Sequence, residues 1–289
     1  MQNYTMGSLR FPAVLLVLLQ TAMVPVAEEL IPMSMFPDAR DYSFYNCRKE
    51  MLEIVTKAGG LLQTELNHNE DFKNMWQSNT PCKKVIPGGT PEHITALMSY
   101  VNANSKFRSK FKRWVHTKST GSASNRDAFP FKSLYFLLTD AMQLLKSKCT
   151  IVYSGTEEKY NAAIGDKVRF ESFFPAKLDY SSATEDSTIG DTIGTVFNIT
   201  SCSVINLDEV CISEEIDLLI SPTEVFTVTN IKTIKNSNDH YKEITVVHSD
   251  IHSRSNCRDL ESYKESSSSV LTSSSLNLMA SLLVIYSAC

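Results

Sequence analysis

The chain has 289 residues and a formal net charge of −4 at pH 7, and 43% of its residues are hydrophobic. This mild acidity, without a long basic face, argues against a nucleic-acid-binding protein. Once the two terminal segments described below are set aside, about 240 residues remain, which is enough for one domain with a sizeable core.

The N-terminal segment has the pattern of a secretory signal peptide. Arg10 precedes an apolar stretch over 11–24, and small residues suited to cleavage follow up to Ala27. A basic start, a short apolar stretch and a small-residue exit are typical of a cleaved leader, and the stretch is short for a membrane span. We therefore predict a signal peptide over 1–27 and an oxidising compartment for the chain.

The C-terminal segment predicts a lipid anchor. Residues 265–275 are small and polar, residues 276–288 are apolar, and no basic cluster follows them. This order is typical of a GPI-attachment signal, with the attachment residue among 266–275. A short C-terminal membrane anchor, or a tail without function on a secreted protein, are the alternatives. The prediction is an ectodomain over 28–265 and a GPI-attachment signal with its hydrophobic tail over 266–289.

The first half of the ectodomain has helical patterns. Residues 46–58 carry apolar side chains at helical spacing, and Gly59-Gly60 ends the pattern. Thr90 is a plausible cap for a second helix over 91–102, because Pro91 suits the first helical position. Residues 129–148 are strongly apolar and predict a helix in the centre of the core.

The segment 106–115 is basic with aromatic residues between the charges, a composition that could indicate a nucleic-acid or heparin patch. Its aromatic residues Phe107, Phe111 and Trp114 fall at i, i+4 and i+7, and so form one stripe on a helix. We therefore interpret the segment as a helix with a solvated basic face over a core stripe, and residues 117–128 as a loop.

After Cys149 the chain changes to β-branched runs separated by turns. Residues 224–231 and 242–249 flank a turn at 236–239 and predict a β-hairpin. Helices followed by strands indicate an α+β fold, not an alternating α/β fold. Gly190 and Gly194 do not form the GxGxxG pattern of a Rossmann dinucleotide site.

An even number of cysteines in the predicted ectodomain fits complete disulfide pairing; they are Cys47, Cys82, Cys149, Cys202, Cys211 and Cys257. No CxxC or HExxH is present, and we interpret His248 and His252 as surface residues, so we predict no metal site. The sequon Asn198-Ile199-Thr200 makes Asn198 the predicted glycosylation site.

Three acidic residues, Glu214, Glu215 and Asp217, come directly before the apolar run 218–220. Glu215 and Asp217 are two positions apart, so on an extended strand their side chains point to the same face. Such a pair belongs either to the solvated edge of a sheet or to an active site. The acids alone do not distinguish these two interpretations.

Five segments occur in a characteristic order: FPFKSLYFLLTDAMQLLKSKC at 129–149, IVYSGT at 151–156, VRFESFF at 168–174, TVFNITSC at 195–202 and SEEIDLLISPTEVFTV at 213–228. This order resembles the vertebrate ecto-mono-ADP-ribosyltransferases. The resemblance implies a helical N-terminal part packed on two β-sheets that form an NAD cleft. It also implies an enzyme of the cell surface that uses NAD or NADP to modify an arginine of an extracellular acceptor protein.

The resemblance also implies two disulfides. A long-range bridge joins Cys47 to Cys257, and an inner bridge joins Cys149 to Cys202, which leaves Cys82 and Cys211 available for a third. Because the Cys47–Cys257 bridge closes the longest loop, we expect it to stabilise the fold most, by several kcal/mol.

Three motifs of the family map onto this chain with replacements. The first-strand Tyr-Arg-Gly-Thr is here Tyr153-Ser154-Gly155-Thr156, so the motif arginine is replaced by serine. The Ser-x-Ser motif is here Pro175-Ala176-Lys177, and the Glu-x-Glu motif is Glu215-Ile216-Asp217. The mapping therefore predicts Tyr153, Ser154, Gly155, Thr156 and Lys177 as NAD-binding residues.

The two acids acquire roles from the same mapping. Glu215 takes the position of the glutamate that receives the incoming guanidinium. Asp217 takes the position of the catalytic glutamate, which grips the ribose and offsets the charge of an oxocarbenium-like transition state. Aspartate withdraws that carboxylate by one methylene, and a misplacement of about 1 Å can cost on the order of a hundredfold in rate.

Three functions follow from these observations. The first is mono-ADP-ribosyl transfer from NAD to protein arginine, at a reduced rate. The second is a non-catalytic, GPI-anchored surface protein that keeps the scaffold for binding, and the third is NAD hydrolysis without transfer to arginine. In each case we expect a monomer that uses no metal and binds no nucleic acid.

Overall fold

The computed structural model describes residues 30–37, 39–40, 42–78, 82, 84–116, 129–145, 148–188, 193–211, 216–236, 239–251, 255–257 and 263–264. The predicted signal peptide, the predicted GPI-attachment signal, the loop 117–128 and Glu215 lie outside these residues. Among the helices that are described, none combines the length and the apolar character needed to cross a membrane.

Helices dominate the first half of the described chain. After a 3-10 turn at Tyr45–Cys47, they are α1 (Arg48–Thr56), α2 (Leu61–His68), α3 (Glu70–Gln77), α4 (Pro91–Val101), α5 (Ser105–His116) and α6 (Lys132–Leu144). A further helix, α7 (Tyr180–Ser187), lies between strands. Helices α2, α3 and α7 were not predicted.

The predicted helix starts are confirmed in part. Helix α4 begins at Pro91 as predicted, and the Thr90 backbone N–H donates to Nδ1 of His93 at 2.9 Å in a capping box. Helix α6 is shorter than the predicted 129–148. It starts at Lys132 because Phe131 has a non-helical φ of −137°. It ends at Leu144, and the chain then leads into a strand at Thr150.

The start of α6 is capped from another helix. The buried carboxylate of Glu65 on α2 accepts hydrogen bonds from the backbone N–H of Lys132 at 2.8 Å and of Ser133 at 2.9 Å. These donors are first-turn N–H groups that have no partner within the helix itself. Burial raises the pKa of the Glu65 carboxyl to about 7, although its hydrogen bonds to Ser133 and Lys132 act in the opposite direction.

We expect the stability of the protein to fall as pH rises from about 4.5 to about 7, because the folded state keeps the Glu65 proton that the unfolded chain releases. The full effect is about 3 kcal/mol, and it is present below pH 4.5 and lost above pH 7. Glu65→Gln cannot titrate and should lack this decline. Urea unfolding of both proteins at several pH values measures the difference, and parallel curves would contradict the assignment.

The second half is built from strands. Two further short strands precede the helices. In chain order, the strands are β1 (Ile31–Pro32), β2 (Tyr42–Ser43), β3 (Thr150–Thr156), β4 (Tyr160–Asn161), β5 (Lys167–Val168), β6 (Phe174–Ala176), β7 (Thr195–Ser201), β8 (Val204–Asn206), β9 (Leu218–Ile220), β10 (Glu224–Lys235), β11 (His240–Ile251) and β12 (Ser255–Asn256).

Two sheets form the β part. One has the strand order β3-β7-β11-β10-β5 and the other has the order β6-β9-β8, and short parallel pairs join β1 to β4 and β2 to β12. The predicted hairpin is confirmed, since β10 and β11 pair antiparallel from Glu224↔Ile251 to Lys235↔His240. The α+β prediction is confirmed as well.

The small sheet lies between the helices and the large sheet. Along β9, Leu219 belongs to the core shared with the helices, whereas Leu218 and Ile220 belong to the core shared with the large sheet. Successive side chains of a strand point to opposite faces of the sheet. One apolar run therefore contributes side chains to both cores. On the outer face of the large sheet, α7 packs through Ala183 against Val196 and Tyr241.

Three disulfides join the described segments, and two of them have the pairing that the family resemblance implies. Cys47 and Cys257 are 210 positions apart in sequence with Cα atoms 6.0 Å apart. The second bridge joins Cys149 to Cys202 at the same end of β3 and β7. The third joins Cys82 to Cys211, directly before the segment that contains Glu215.

His248 is not the plain surface residue of the sequence interpretation. Its Nδ1 lies 2.8 Å from the fully buried carboxylate of Glu224, which is on the neighbouring strand. The sulfur of Cys202 lies close to both groups but is bonded to Cys149, so it is not a thiolate that could bind a metal. Asn198 is half-buried on β7 between Tyr153 and Thr245, and its glycosylation stays a prediction.

Candidate active site

A cleft of about 530 Å³ opens where the two sheets meet α5. Its walls are formed by the end of β3, the segment 169–177, α5 and Ile216. The volume lies within the range of ligand sites, which is about 300–1,000 Å³. Residues of all three mapped motifs therefore contribute to a single cavity.

The first wall comes from β3. Ser154, Gly155 and Thr156 line the cleft, whereas the ring of Tyr153 packs against Tyr180 of α7 with 5.1 Å between ring centroids. Tyr153 therefore has no contact with the cleft in this structure, and its role in binding NAD stays a prediction. Only glycine fits at position 155, since a Cβ there would lie 1.7 Å from the carbonyl oxygen of Ala183.

The second wall contains Pro175, Ala176 and Lys177. Pro175 is accommodated because β6 is an edge strand of the small sheet. The backbone of Lys177 pairs with that of Tyr153 through bonds of 2.7 and 2.9 Å, which connects the two sheets. Its ammonium lies 2.6 Å from the carboxylate of Asp186 on α7, and both residues line the cleft.

The segment that precedes β9 brings Ile216, directly before Asp217, into the cleft wall. Asp217 itself is exposed, and its carbonyl accepts a hydrogen bond from the backbone N–H of Leu207 at 2.9 Å. The predicted catalytic carboxylate thus lies next to a cleft-lining residue without being one of those residues. Glu215 lies outside the described part of the chain.

The fourth wall was missed in the sequence interpretation. Arg108, Ser109 and Lys112 of α5 line the cleft, so this side of the helix is not merely a solvated face. The core stripe of α5 also differs in detail, because Val115 is fully buried while Trp114 is half-buried. The spacing of Arg108 and Lys112, four residues apart, was the available signal that two cations share one face.

An acid lies against this wall. Glu171 lines the cleft, and its two carboxylate oxygens contact Lys112 Nζ at 2.5 Å and His116 Nδ1 at 2.8 Å. Glu158, on the turn after β3, accepts a hydrogen bond from the hydroxyl of Tyr160 at 2.9 Å. Burial and the neighbouring Glu158 raise the pKa of Tyr160 above its ordinary value.

Two stacked aromatic rings and a buried arginine form the floor of the cleft. The rings of Phe170 and Phe174 stack with centroids 3.8 Å apart. Arg169 is almost completely buried, and its guanidinium donates to the carbonyls of Met35 and Phe36 at 2.9 and 3.1 Å. These acceptors belong to the segment 30–37. Arg169 therefore holds that segment against the cleft.

Residues 33–249 match the family described as NAD:arginine ADP-ribosyltransferase. The chain belongs to this family. Its curated relatives include Ecto-ADP-ribosyltransferase 5 of Rattus norvegicus, which is 29% identical over 220 residues, 70% of this chain and 69% of the relative. T-cell ecto-ADP-ribosyltransferase 2 of Mus musculus is 28% identical over 221 residues, 73% of this chain and 71% of the relative.

The NAD:arginine ADP-ribosyltransferase fold is also found among solved structures. The eucaryotic mono-ADP-ribosyltransferase ART2.2 superposes with a TM-score of 0.64 and 25% identity, over 78% of this chain and 98% of that one. Mutants of ART2.2 have been solved in complex with NADH and with NAD. The resemblance that the five sequence segments suggest is therefore confirmed at the level of family and fold.

Proposed function

We propose that this protein is a mono-ADP-ribosyltransferase of the extracellular face that transfers ADP-ribose from NAD to an arginine of an extracellular protein. The observation that carries the proposal is that residues of all three mapped motifs, Ile216 among them, line one cleft of about 530 Å³. The predicted leader and GPI-attachment signal support a location at the cell surface. The names of the curated relatives, which include two ecto-ADP-ribosyltransferases, support the same location.

The reaction breaks the bond between nicotinamide and ribose, with the electron pair leaving on nicotinamide, and joins the ribose carbon to a guanidinium nitrogen. Positive charge develops on the ribose in the transition state. The carboxylate of Asp217 is the group that would offset this charge, and Glu215 is the group that would receive the guanidinium and its proton. The stacked rings of Phe170 and Phe174 offer an apolar face to the ligand.

We expect the reaction to be slow. The motif arginine is replaced by Ser154, and the cation of Lys177 is already paired with Asp186 at 2.6 Å. A charge-assisted hydrogen bond contributes roughly 1.5–3 kcal/mol, so the loss of one weakens NAD binding by about tenfold to a hundredfold. The exposed position of Asp217 adds a further loss in rate.

A non-catalytic surface protein is the second candidate function. The observation in its favour is that three motif residues are replaced: Ser154 and Pro175 line the cleft, and Asp217 directly follows the cleft-lining Ile216. Under this alternative, the scaffold is kept for binding a partner at the cell surface, and NAD is not consumed.

Release of nicotinamide from NAD, with and without agmatine as an arginine analogue, tests the proposal. We expect slow release that agmatine accelerates and that Asp217→Ala reduces at least tenfold, because a transition-state charge loses its partner. Asp208→Ala, at an exposed acid on a neighbouring loop, is the matched control and should leave the rate unchanged. Release without any effect of agmatine would indicate NAD hydrolysis, and no release from a folded protein would favour the non-catalytic function.

A further inference from the structure

Phe36 has an unusual backbone conformation at the cleft. Its φ is +42°, in the left-handed region that residues with a bulky side chain rarely adopt. Its side chain is half-buried and lines the cleft. A residue strained in this way persists only where its surroundings fix it, and such residues are concentrated at ligand sites. The backbone at Phe36 therefore favours a role in ligand binding.

Hydrogen bonds hold this conformation from both sides. The backbone N–H of Phe36 donates to Oγ of Ser34 at 3.0 Å. Its carbonyl accepts from the Arg169 guanidinium at 3.1 Å and from the backbone N–H of Ala39 at 3.0 Å. Arg169 is almost completely buried and also donates to the carbonyl of Met35 at 2.9 Å. The backbone that carries the Phe36 ring is thus fixed at the cleft.

Packing in the apolar cores does not explain the Phe36 ring. Among the described residues, those that form these cores or pack against them include Met33, three positions earlier, but not Phe36. The ring of His116, at the end of α5, has its centroid 5.8 Å from that of Phe36 at an interplanar angle of 72°. Rings at this angle meet edge to face, so His116 covers at most one face of the Phe36 ring.

The other aromatic residues of the cleft are less suited to stack on a ligand. Most of those that line it are buried, whereas Phe36 and Phe174 are half-buried. One face of the Phe174 ring is already covered by the ring of Phe170, with 3.8 Å between centroids. Phe36 therefore offers an aromatic face at a fixed position of the cleft wall.

NAD carries two planar aromatic bases, adenine and the positively charged nicotinamide ring. Either base gains from stacking on an aromatic side chain, and nicotinamide gains further from the attraction between a cation and the face of a ring. The chemistry that the Phe36 ring would recognise is therefore present at both ends of the dinucleotide.

We propose that Phe36 binds NAD through stacking of its ring on one of these two bases. The inference rests on the proposed function, because both take NAD as the ligand of this cleft. It adds a contact from the segment 30–37, to which the mapped motifs assign no role.

Phe36→Leu tests the inference, because leucine keeps an apolar side chain and has no aromatic face. Binding of radiolabelled NAD to the full chain, produced through the secretory pathway and purified in detergent, is measured by equilibrium dialysis. We expect the dissociation constant to rise about tenfold, the loss of one stacking contact. Phe36→Tyr keeps the aromatic face and should bind NAD within about twofold of the parent.

Tyr45→Leu is the matched control. Tyr45 is 81% exposed in the 3-10 turn before α1 and does not line the cleft, so the loss of its ring should change the dissociation constant by less than about twofold. Urea unfolding of each variant, with a cooperative transition like that of the parent, shows that a change in binding does not come from a loss of folded protein.

Competition with fragments of NAD identifies the stacked base. The dissociation constant of either adenosine or nicotinamide should rise about tenfold for Phe36→Leu, and that of the other fragment should stay unchanged. Three results would overturn the inference: unchanged NAD binding by Phe36→Leu, equal weakening by Phe36→Tyr, or unchanged binding of both fragments. NAD binding by the parent protein in those cases leaves the proposed function standing, whereas no binding by the parent protein overturns both.

Discussion

Asp217→Glu should raise the rate of nicotinamide release from NAD by about a hundredfold, the effect expected when a catalytic carboxylate moves by about 1 Å. Asp217 directly follows Ile216, which lines the cleft, but its own side chain is exposed. One added methylene lets the carboxylate reach further from the same backbone position. Because the carboxylate acts on charge that develops in the transition state, the gain should appear in kcat more than in KM.

The matched control for this gain is Asp208→Glu. Asp208 is also an exposed aspartate, and it lies in the loop after β8, outside the residues that line the cleft. The same added methylene there should leave the rate within about twofold of the parent, as expected for a substitution away from the site. A rate that Asp217→Glu leaves unchanged, in a protein that binds NAD, would remove Asp217 from the mechanism.

Glu224→Ala should lower the free energy of unfolding by about 3–5 kcal/mol, the range for removing one partner of a buried charged network. The Glu224 carboxylate is fully buried at the start of β10 and accepts hydrogen bonds from three consecutive residues at the end of β7 and directly after it. They are the Ser201 hydroxyl at 2.5 Å, the Cys202 N–H at 2.6 Å and the Ser203 N–H at 3.2 Å. Alanine removes the charged acceptor that these three donors share.

Chemical denaturation of Glu224→Ala measures this loss, with two comparisons. His248→Ala removes one donor to Glu224 and leaves the carboxylate in place, so it should cost about 1 kcal/mol, the net value of one hydrogen bond. Glu185→Ala, at the surface of α7, should change stability by less than about 0.5 kcal/mol. If Glu224→Ala proved no more harmful than His248→Ala, the carboxylate would not be the centre of this network.

The α+β class follows from patterns within short segments. Helical spacing over 46–58 and 91–102, and β-branched runs on both sides of the turn at 236–239, depend on neighbours a few residues away. Such patterns predict helices and strands correctly because the buried face of an element recurs along the sequence with that element's own period. The start of α6 was misplaced because its cap, Glu65, lies 67 positions away in the sequence from Lys132.

For the candidate site, too, some features follow from the sequence and others only from the tertiary structure. The amino-acid sequence by itself determined the class, with helices before strands, and the residues at the mapped motifs, among them Ser154 and Asp217. The tertiary structure alone decided that Lys112 faces the cleft and that Lys177 is neutralised by Asp186. A side chain's charge is a property of its own residue, whereas the field in a cleft depends on which distant residues packing brings into contact.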